Sequence, residues 1–498
     1  KVKLSGVNYD PNLTTGGSGV TITLTGDCEF DAVTVSDGDT FDMNGQRVVI
    51  GGLSSTGTGT IDAENALVYL NARNDGYAYR IFDNGTFTST GSTFVVDSAS
   101  DPGCQMQPTG NTFHNVMFLQ NCALNGGELK ATGFVKVATD DLNTANENIT
   151  AVDVTVPTGG VLTAGSSTIT ASGDFTTSGG LLGPSCLQFD GSTEYAKTSA
   201  AVTWGDGLGD NFTIECWFKA SDNESEVLLD MYPSSGNSNR IQIMNNGGTE
   251  VAAKIYNDGA SSFLVGTDKF TVDPDDGKWH HFAVTCSLNE QKVYYDGRLA
   301  GKQTHTIDRN SNPTLFLRLG SEKDGSYDWN GYIDELRIYK DVRTEAEIRA
   351  NMFVNVHGDI SGDNLVARYG FNEGTGSTTE NTQGTAGRDL LLYNASGLED
   401  TDLWPAAGTL NWASMPGSNP TAGTLHMKGA GGKTMTFPDN QKFFNLTCGD
   451  NAAGGIVTLS NTPYIYGTFT ADKYSPVRSG QLGVSGTVTP VVTNGATF

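Results

Sequence analysis

The stretch KWHHFAVTCSLNEQKVYYDGRLAG, residues 278–301, carries two strand patterns on either side of an Asp-Gly dipeptide. Successive side chains of a strand point to opposite faces of a sheet. Asp-Gly favours a two-residue hairpin turn, so the segments KVYY and RLAG around Asp296 and Gly297 are predicted to pair as antiparallel strands. Each sheet of a sandwich buries one face against a second sheet. The stretch therefore predicts a β-sandwich.

Two adjacent histidines, His280 and His281, lie in this stretch of a chain that has six histidines in total. Neighbouring strand positions project to opposite faces, whereas two strand histidines that share one metal ion need positions i and i+2. The pair is therefore predicted to be part of the sheet structure rather than a metal site or a catalytic pair.

The composition of the chain indicates many short strands. Its 498 residues include 63 glycines, and 17% of the residues are charged, which suits strands joined by tight turns and disfavours long helices. The formal net charge of −26 repels phosphate backbones, so nucleic acid is excluded as a partner class, whereas cations are attracted. The sequence has no run of eighteen apolar residues, and we therefore expect no membrane span.

The two ends of the chain have the same texture. Residues 1–182 and 409–498 alternate apolar with small polar residues and break at glycine. NTFHNVMF at 111–118 also resembles NQKFFNLTC at 440–448, which is typical of a degenerate repeat. Both arms are predicted to form one β-solenoid, in which inward side chains stack on their counterparts in the next coil. The alternative is a pair of unrelated β-sandwiches.

The segment between the arms, residues 183–408, differs from them because it contains five of the six tryptophans. It carries, in order, LQFDGSTEYA (187–196), NFTIECWFKA (211–220), the stretch 278–301, LRLGSEKDGSYDWNGYIDELRIYKDVRTEAEI (317–348) and LVARYGFNEGTG (365–376). In this combination the segment resembles the laminin-G-like (concanavalin A-like) jelly-roll domain. The resemblance implies an all-β domain inserted into the solenoid-like arms. It implies little about function, because this fold has many functions.

One short helix is predicted, in RTEAEIRANMF at 343–353. Thr344 is a suitable N-cap, and Glu347 three residues later completes a capping box. The helix is expected to pack on the domain and to have no chemical role.

The metal candidates are Asp190 and Asp334. The resemblance implies that the strands carrying FDG and IDELRIY are neighbours and that a structural Ca²⁺ lies near such positions. Carboxylates and turn carbonyls are the oxygen ligands that Ca²⁺ prefers. In the alternative, Asp190 closes the FDG turn, and Asp334 pairs with Arg337 or accepts a hydrogen bond from a backbone N–H.

A glycan site in this domain should combine exposed aromatic rings with Asp and Asn side chains on one rim. The candidates on predicted loops are Trp204, Asp206, Tyr232, Asn239, Tyr327, Asp328 and Trp329. A sugar stacks well on such rings, but Trp and Tyr also plug the ends of sandwiches. Both interpretations stay open at this point.

The sequence shows no constellation for catalysis. Glycoside hydrolysis needs two carboxylates that face each other across a sugar, and the acidic residues of the arms are isolated. Metalloprotease, nucleophile-elbow and phosphate-loop motifs are missing. The seven cysteines lack the C-x-x-C spacing of zinc and redox sites, and only Cys104 and Cys122 are close enough in sequence to suggest a pair. We predict no catalytic residue and no cofactor besides Ca²⁺.

The arrangement resembles tailed-phage virion decoration and fibre proteins. This resemblance implies a non-enzymatic extracellular protein, displayed on a virion surface, whose laminin-G-like domain binds glycans or protein. The alternatives are a bacterial cell-surface adhesin and a carbohydrate-active enzyme on a β-solenoid scaffold. Terminal coils of a solenoid expose unpaired strand edges, so we expect a homo-oligomer or a lattice of surface proteins.

Overall fold

The structure of the protein is a computed structural model. It describes residues 2–4, 12–17, 19–70, 85–97, 104–157, 159–177, 185–192, 194–204, 208–209, 211–222, 224–246, 251–257, 260–266, 274–275, 277, 279–306, 309, 313–353, 364–385, 387–394, 403–405, 409–412, 422–427, 432–436, 441–443, 445–448, 456–459, 464–465, 468–472, 477–478, 483–484 and 491–493.

The chain divides into two units, each with its own hydrophobic core. The first unit is discontinuous and consists of Lys1–Ser178 and Ala407–Phe498, and the second is Gly179–Ala406. Both are built from strands, as the sequence predicts.

The first unit begins with short strands of two to nine residues. They are β1 Val2–Leu4, β2 Leu13–Thr14, β3 Thr21–Leu24, β4 Cys28–Val35, β5 Thr40–Asp42, β6 Arg47–Ser55, β7 Thr60–Asp62, β8 Leu67–Leu70, β9 Thr86–Thr88, β10 Thr93–Val96, β11 Gln105–Met106, β12 Thr112–Phe113, β13 Asn115–Phe118, β14 Cys122–Leu124, β15 Leu129–Ala131, β16 Phe134–Val137, β17 Asp140–Asn143, β18 Ile149–Ala151, β19 Asp153–Thr155, β20 Gly160–Gly165, β21 Thr168–Ala171 and β22 Phe175–Thr176.

The second unit contains the longer strands and a helix. They are β23 Leu187–Asp190, β24 Tyr195–Thr198, β25 Val202–Thr203, β26 Phe212–Ala220, β27 Ser225–Tyr232, β28 Ile241–Asn246, β29 Val251–Asn257, β30 Ala260–Gly266, β31 His280–Cys286, β32 Glu290–Tyr295, β33 Arg298–Thr304, β34 Thr314–Leu319, β35 Asn330–Tyr339, α1 Glu345–Asn351, β36 Leu365–Tyr369, β37 Thr378–Thr379 and β38 Leu390–Tyr393.

The chain then returns to the first unit. The strands there are β39 Thr409–Trp412, β40 Thr424–Met427, β41 Gly432–Thr436, β42 Lys442–Phe443, β43 Asn445–Cys448, β44 Ile456–Leu459, β45 Tyr464–Ile465, β46 Phe469–Asp472, β47 Val477–Arg478, β48 Gly483–Val484 and β49 Val491–Thr493.

The first unit is a β-solenoid of stacked parallel strands. Its largest sheet runs in the order β2-β4-β6-β8-β10-β13-β16-β19-β22-β41-β44-β47, and another runs β12-β15-β18-β21-β40-β43-β46-β49. Ile149 pairs with Ile169, and Ile169 pairs with Leu425 beyond the second unit. The coil after the insertion therefore stacks directly on the coil before it, which confirms that both arms belong to one solenoid and rules out two separate sandwiches.

The two similar stretches of the arms occupy different faces of the solenoid. Asn115 begins β13 in the twelve-stranded sheet, whereas Asn445 begins β43 in the eight-stranded sheet. The Asn115 amide nevertheless donates to Thr93 on the preceding coil (3.4 Å) and accepts from the backbone N of Phe134 on the next coil (3.1 Å). Asn445 does the same between its own neighbouring coils. The similarity thus reflects a shared corner that links three coils, not equivalent positions.

Cys104 and Cys122 meet on successive coils, with their Sγ atoms 3.2 Å apart. Both are free, buried thiols in the structure. The hydrogen bond with the Cys104 thiol, followed by burial, raises the pKa of Cys122 well above its ordinary value.

The second unit is a sandwich of two antiparallel sheets. One runs β23-β35-β26-β31-β32-β33, with β36 beside β35, and the other runs β30-β29-β28-β27-β34-β24-β38-β37, with β25 beside β34. Their inner faces form one buried apolar core. This arrangement confirms the predicted jelly roll.

The stretch 278–301 forms the strands that its pattern predicts. Tyr295 pairs with Arg298 around Asp296 and Gly297, whose φ angles of 48° and 69° match the expected turn. His280 contacts the Asp296 carboxylate at 2.9 Å, while His281 is buried on the opposite face. Burial, assisted by the charge of a nearby arginine, lowers the pKa of His281 to about 3, so this ring stays neutral. The histidines are structural.

The helix α1 covers the outer face of this sheet. Thr344 is its N-cap, and the capping box with Glu347 is complete, as predicted. Ile348 packs on Ala283 and Tyr294, so the helix closes a part of the sheet that would otherwise expose apolar side chains to water.

Candidate functional site

Three of the predicted glycan-binding residues are buried. Trp204 is 0% exposed and donates its indole N–H to the backbone oxygen of Leu315 (3.0 Å), and Trp329 is 1% exposed and packs edge-on against Phe218. Asn239 is also buried, with a φ of 61°. These side chains plug the sandwich or shape a turn, which was the open alternative, and they do not form a rim that a sugar can reach.

The other predicted residues are dispersed. Tyr327 is 57% exposed and Asp328 is half-buried, on the connection between β34 and β35. Asp206 lies outside the described residues. Tyr232 is half-buried at the end of β27 and belongs to a different surface, described below.

The two predicted metal ligands do not share a site. Asp190 pairs with Asn330, so Asp334 lies four residues further along the ladder, which is about 13 Å at ~3.3 Å per residue. Asp190 is exposed and closes its turn by accepting hydrogen bonds from Ser192. Asp334 is buried and accepts from the backbone N of Glu335 (2.8 Å). These positions follow the alternative interpretation.

This geometry does not fit Ca²⁺ between Asp190 and Asp334. In the part of the chain that the structure describes, no group of three or more His, Cys, Asp or Glu side chains is arranged to hold a metal ion. Calcium binding by the protein stays a prediction without a location.

A surface that sequence reasoning did not assemble lies on the outer side of the β27-β34-β24-β38 region. Along these strands the alternate residues Ala196, Leu317 and Leu392 point into the core. The residues between them point outward, because strand side chains alternate. We call the outward set the aromatic face, and it consists of Tyr195, Lys197, Tyr232, Phe316, Arg318 and Tyr393.

The rings of the aromatic face form two stacked pairs. Tyr195 and Tyr393 are register partners with ring centroids 4.9 Å apart and an interplanar angle of 19°. Tyr232 and Phe316 pair in the same way, at 5.3 Å and 26°. All four side chains are half-buried, so each ring is held by its neighbours while part of its surface faces solvent.

Two cations lie between the stacked pairs. Lys197 and Arg318 are register partners on β24 and β34. The Arg318 guanidinium lies 3.7 Å from the ring centroid of Tyr195, and the Lys197 Nζ lies 5.6–5.8 Å from the centroids of Tyr195, Phe316 and Tyr393. Burial, with a further contribution from the Arg318 charge, lowers the pKa of Lys197.

An ion-pair network fixes the border of the aromatic face beside Tyr232. Arg240 binds the Asp230 carboxylate through both oxygens (2.8 and 2.7 Å) and also contacts Glu322 (2.5 Å). Asp230 additionally accepts from the backbone N of Lys323. Bidentate pairs of this kind hold a defined geometry, so the loops around β27 and β34 are pinned at this border.

A second group of carboxyls lies at the start of β27. Glu226 is 3% exposed, and its Oε1 accepts from the backbone N of Asn330 (3.0 Å). Burial first, then the adjacent Asp222 carboxylate, raises the pKa of Glu226 to about 9. Glu226 therefore keeps a proton at neutral pH.

Local patterns did carry a signal for the aromatic face. YAKT, TLFLRL and LLLY each place an aromatic or cationic residue next to a residue of the core. The sequence alone did not reveal that β27, β34, β24 and β38 lie side by side, and four half-exposed rings are recognised as one surface only through that order.

The match to a family model lies within the second unit. Residues 190–349 match the model of the concanavalin A-like lectin/glucanases superfamily. No curated protein sequence matches the chain.

Solved structures resemble a part of the chain. A protein from Bacteroides ovatus that is proposed to bind carbohydrate shares 15% identity at a TM-score of 0.31, over 42% of this chain and 58% of its own. A heptameric pentraxin from Limulus polyphemus shares 10% identity at a TM-score of 0.30, over 38% of this chain and 95% of its own. Mouse laminin α1 domains LG4-5 share 16% identity at a TM-score of 0.26, over 32% of this chain and 43% of their own. At these identities and TM-scores, the likeness is no evidence for a ligand or an activity of this chain. The chain spans little more than half of the Bacteroides protein.

Within the described residues, no helix has the length and apolar character to cross a membrane. The family match agrees with the two antiparallel sheets and with the order of the motifs along the chain. Residues 190–349 therefore form a laminin-G-like (concanavalin A-like) domain, inserted between two coils of a β-solenoid.

Proposed function

We propose that this chain is a non-enzymatic structural and binding protein of an extracellular surface, and that its laminin-G-like domain binds glycans through the aromatic face. The observation that carries the proposal is the set of four half-buried rings on four neighbouring strands. The C–H face of a pyranose ring packs on an aromatic ring while its hydroxyls remain hydrated. Stacked neighbours hold these rings in place, so little side-chain entropy is lost on binding.

The matched superfamily includes both lectins and glucanases by name, so cleavage is the competing function. Glycosidases separate their two carboxyls by about 5 Å or more to accommodate the sugar or a water. The two carboxyls of Asp222 and Glu226 both accept hydrogen bonds from Asn330 instead, Asp222 from its side-chain amide (2.7 Å) and Glu226 from its backbone N–H (3.0 Å). This geometry favours a structural role for both carboxyls over an acid and a base that act on a substrate.

The solenoid supports a place on a repetitive surface, with a tailed-phage virion as the first choice. A stack of parallel coils presents strand edges at its ends, which suits docking to further subunits. Electron microscopy of the native source material tests this part. Regular copies on a particle are expected, whereas an isolated chain on a cell envelope would favour the adhesin.

The binding proposal is tested on a glycan array with the full chain, followed by titration calorimetry of the ligands that bind. Tyr195→Ala and Tyr232→Ala should each weaken binding about tenfold or more, since each removes one stacking ring. Tyr327→Ala is the matched control, because its exposed ring lies on the predicted loop outside the aromatic face.

The outcomes show whether glycans bind at the aromatic face or at the loop of Tyr327. Unchanged affinity of Tyr195→Ala and Tyr232→Ala, or a loss with Tyr327→Ala alone, would remove the aromatic face from the proposal. Release of shorter saccharides from an array ligand by the full chain would overturn the non-enzymatic role.

A further inference from the structure

The aromatic face holds two adjacent cations without a carboxylate partner. Among the described residues, neither Lys197 nor Arg318 forms an ion pair, and Arg318 donates to the uncharged Ser321 hydroxyl (2.6 and 2.9 Å). This is unusual in a chain that has 56 Asp and Glu against 30 Lys and Arg.

The carboxylate that lies opposite Arg318 on the neighbouring strand already has other partners. Asp230 is the register partner of Arg318 on β27, but its oxygens accept from Arg240 and from the backbone N of Lys323. Three of the other buried arginines differ from Arg318, since Arg240, Arg337 and Arg368 each contact a carboxylate.

Two like charges directly opposite each other on neighbouring strands destabilise a sheet. Burial first, and then the charge of Arg318, lowers the pKa of Lys197. Contacts with the rings offset a part of the cost, and an anion placed between Lys197 and Arg318 would remove the rest.

We propose that the ligand of the aromatic face is an acidic saccharide, a pyranose that carries a carboxylate or a sulfate group. This inference rests on the proposed function. The sugar ring would stack on Tyr195 or Phe316, and its anionic group would accept charge-assisted hydrogen bonds from Lys197 and Arg318. The overall negative charge of the protein repels such ligands at long range, so recognition depends on this local cation pair.

The test compares three probes on the full chain by calorimetry: polygalacturonate oligomers for the carboxylate, sulfated dextran oligomers for the sulfate, and unmodified dextran oligomers as the neutral control. At least one acidic probe is expected to bind about tenfold or more tighter than neutral dextran, with an affinity that falls as salt is added. The tighter acidic probe identifies the anionic group.

Substitutions localise the effect. Lys197→Gln and Arg318→Gln should each lower the affinity for the acidic probe about tenfold, while Lys197→Arg retains it. Lys219→Gln is the matched control, because Lys219 lies over the ring of Tyr332 (5.7 Å) on the other sheet. Thermal unfolding of each variant shows that the domain is intact.

The results distinguish failure of the acidic-ligand inference from failure of the proposed function. Neutral glycans that bind with sensitivity to Tyr195→Ala, while both acidic probes are ignored, would overturn the acidic ligand and leave the proposed function in place. Acidic binding that Lys219→Gln weakens as much as Lys197→Gln does would also overturn it. No glycan binding of any kind would overturn both.

Discussion

The solenoid and the inserted jelly roll solve the same problem, the burial of strand faces, with different chemistry. In the solenoid, inward side chains stack on their register partners in adjacent coils, and corner amides such as Asn115 and Asn445 link one coil to the next. The apolar core side chains repeat from coil to coil, so small polar residues and glycines suffice between them. The jelly roll instead depends on contacts that occur once.

The clearest such contact is an ion network buried in the jelly roll. Glu335 accepts from Arg368 through both oxygens (2.6 and 3.0 Å) and from Arg337 (3.1 Å). Arg337 also contacts Glu215, to which Tyr339 donates. Burial raises the pKa of Glu215, and the Arg337 charge opposes that shift. The comparison shows that a repetitive core spreads its stability over many equal contacts, whereas a unique core concentrates it in a few residues.

The prediction with the largest expected effect tests whether the stability of the jelly roll is concentrated in this ion network. Glu335→Gln removes the charge that holds Arg337 and Arg368, so the jelly roll should lose about 3–5 kcal/mol of unfolding free energy. Denaturation followed by tryptophan fluorescence reports on this domain. Glu345→Gln, a more exposed helix residue, is the control, and equal losses in both variants would contradict the special role of the network.

The solenoid should lose less unfolding free energy when one corner amide is removed. Asn115→Ala removes the acceptor of the Phe134 N–H and the donor to Thr93, with an expected loss of about 1–3 kcal/mol. Asn115→Asp keeps the acceptor and should lose less. Hydrogen exchange of the Phe134 amide is the measurement, and equal protection in the wild type and Asn115→Ala would refute the corner role.

The smallest expected effect is a pH dependence at the carboxyl pair. Because the pKa of Glu226 is raised from 4.5 to about 9, the folded state keeps a proton there that the unfolded state has lost. The unfolded state then binds fewer protons, so stability should fall as pH rises from 4.5 towards 9. Discounted for solvent screening, the fall is about 1–2 kcal/mol.

Glu226→Gln should remove this part of the pH dependence, since the amide does not titrate. The groups that face Glu226 are Asp222, Asp275 and the backbone N of Asn330. Urea unfolding at pH 5 and pH 8 measures the effect, with the exposed Glu224→Gln as control. The same slope in the wild type and Glu226→Gln would show that Glu226 is not the titrating group.

Features that depend on a few neighbouring residues were predictable from the sequence. The Asp296-Gly297 turn, the capping box of Thr344 and Glu347, and the opposite faces of His280 and His281 all follow from backbone geometry over two to four residues. Alternation of apolar and polar residues with period two also indicated the strands of both the solenoid and the jelly roll. These rules are local, so they hold before any tertiary contact is known.

Only the tertiary structure decided which polar and aromatic side chains meet. Trp204 and Trp329 lie at strand ends, where exposure was expected, but distant strands bury them. Asp190 and Asp334 lie on neighbouring strands, yet the register separates them along the ladder. The aromatic face arises because β27, β34, β24 and β38 are adjacent in the sheet although far apart in the chain. Burial and proximity depend on that long-range order, which no local pattern specifies.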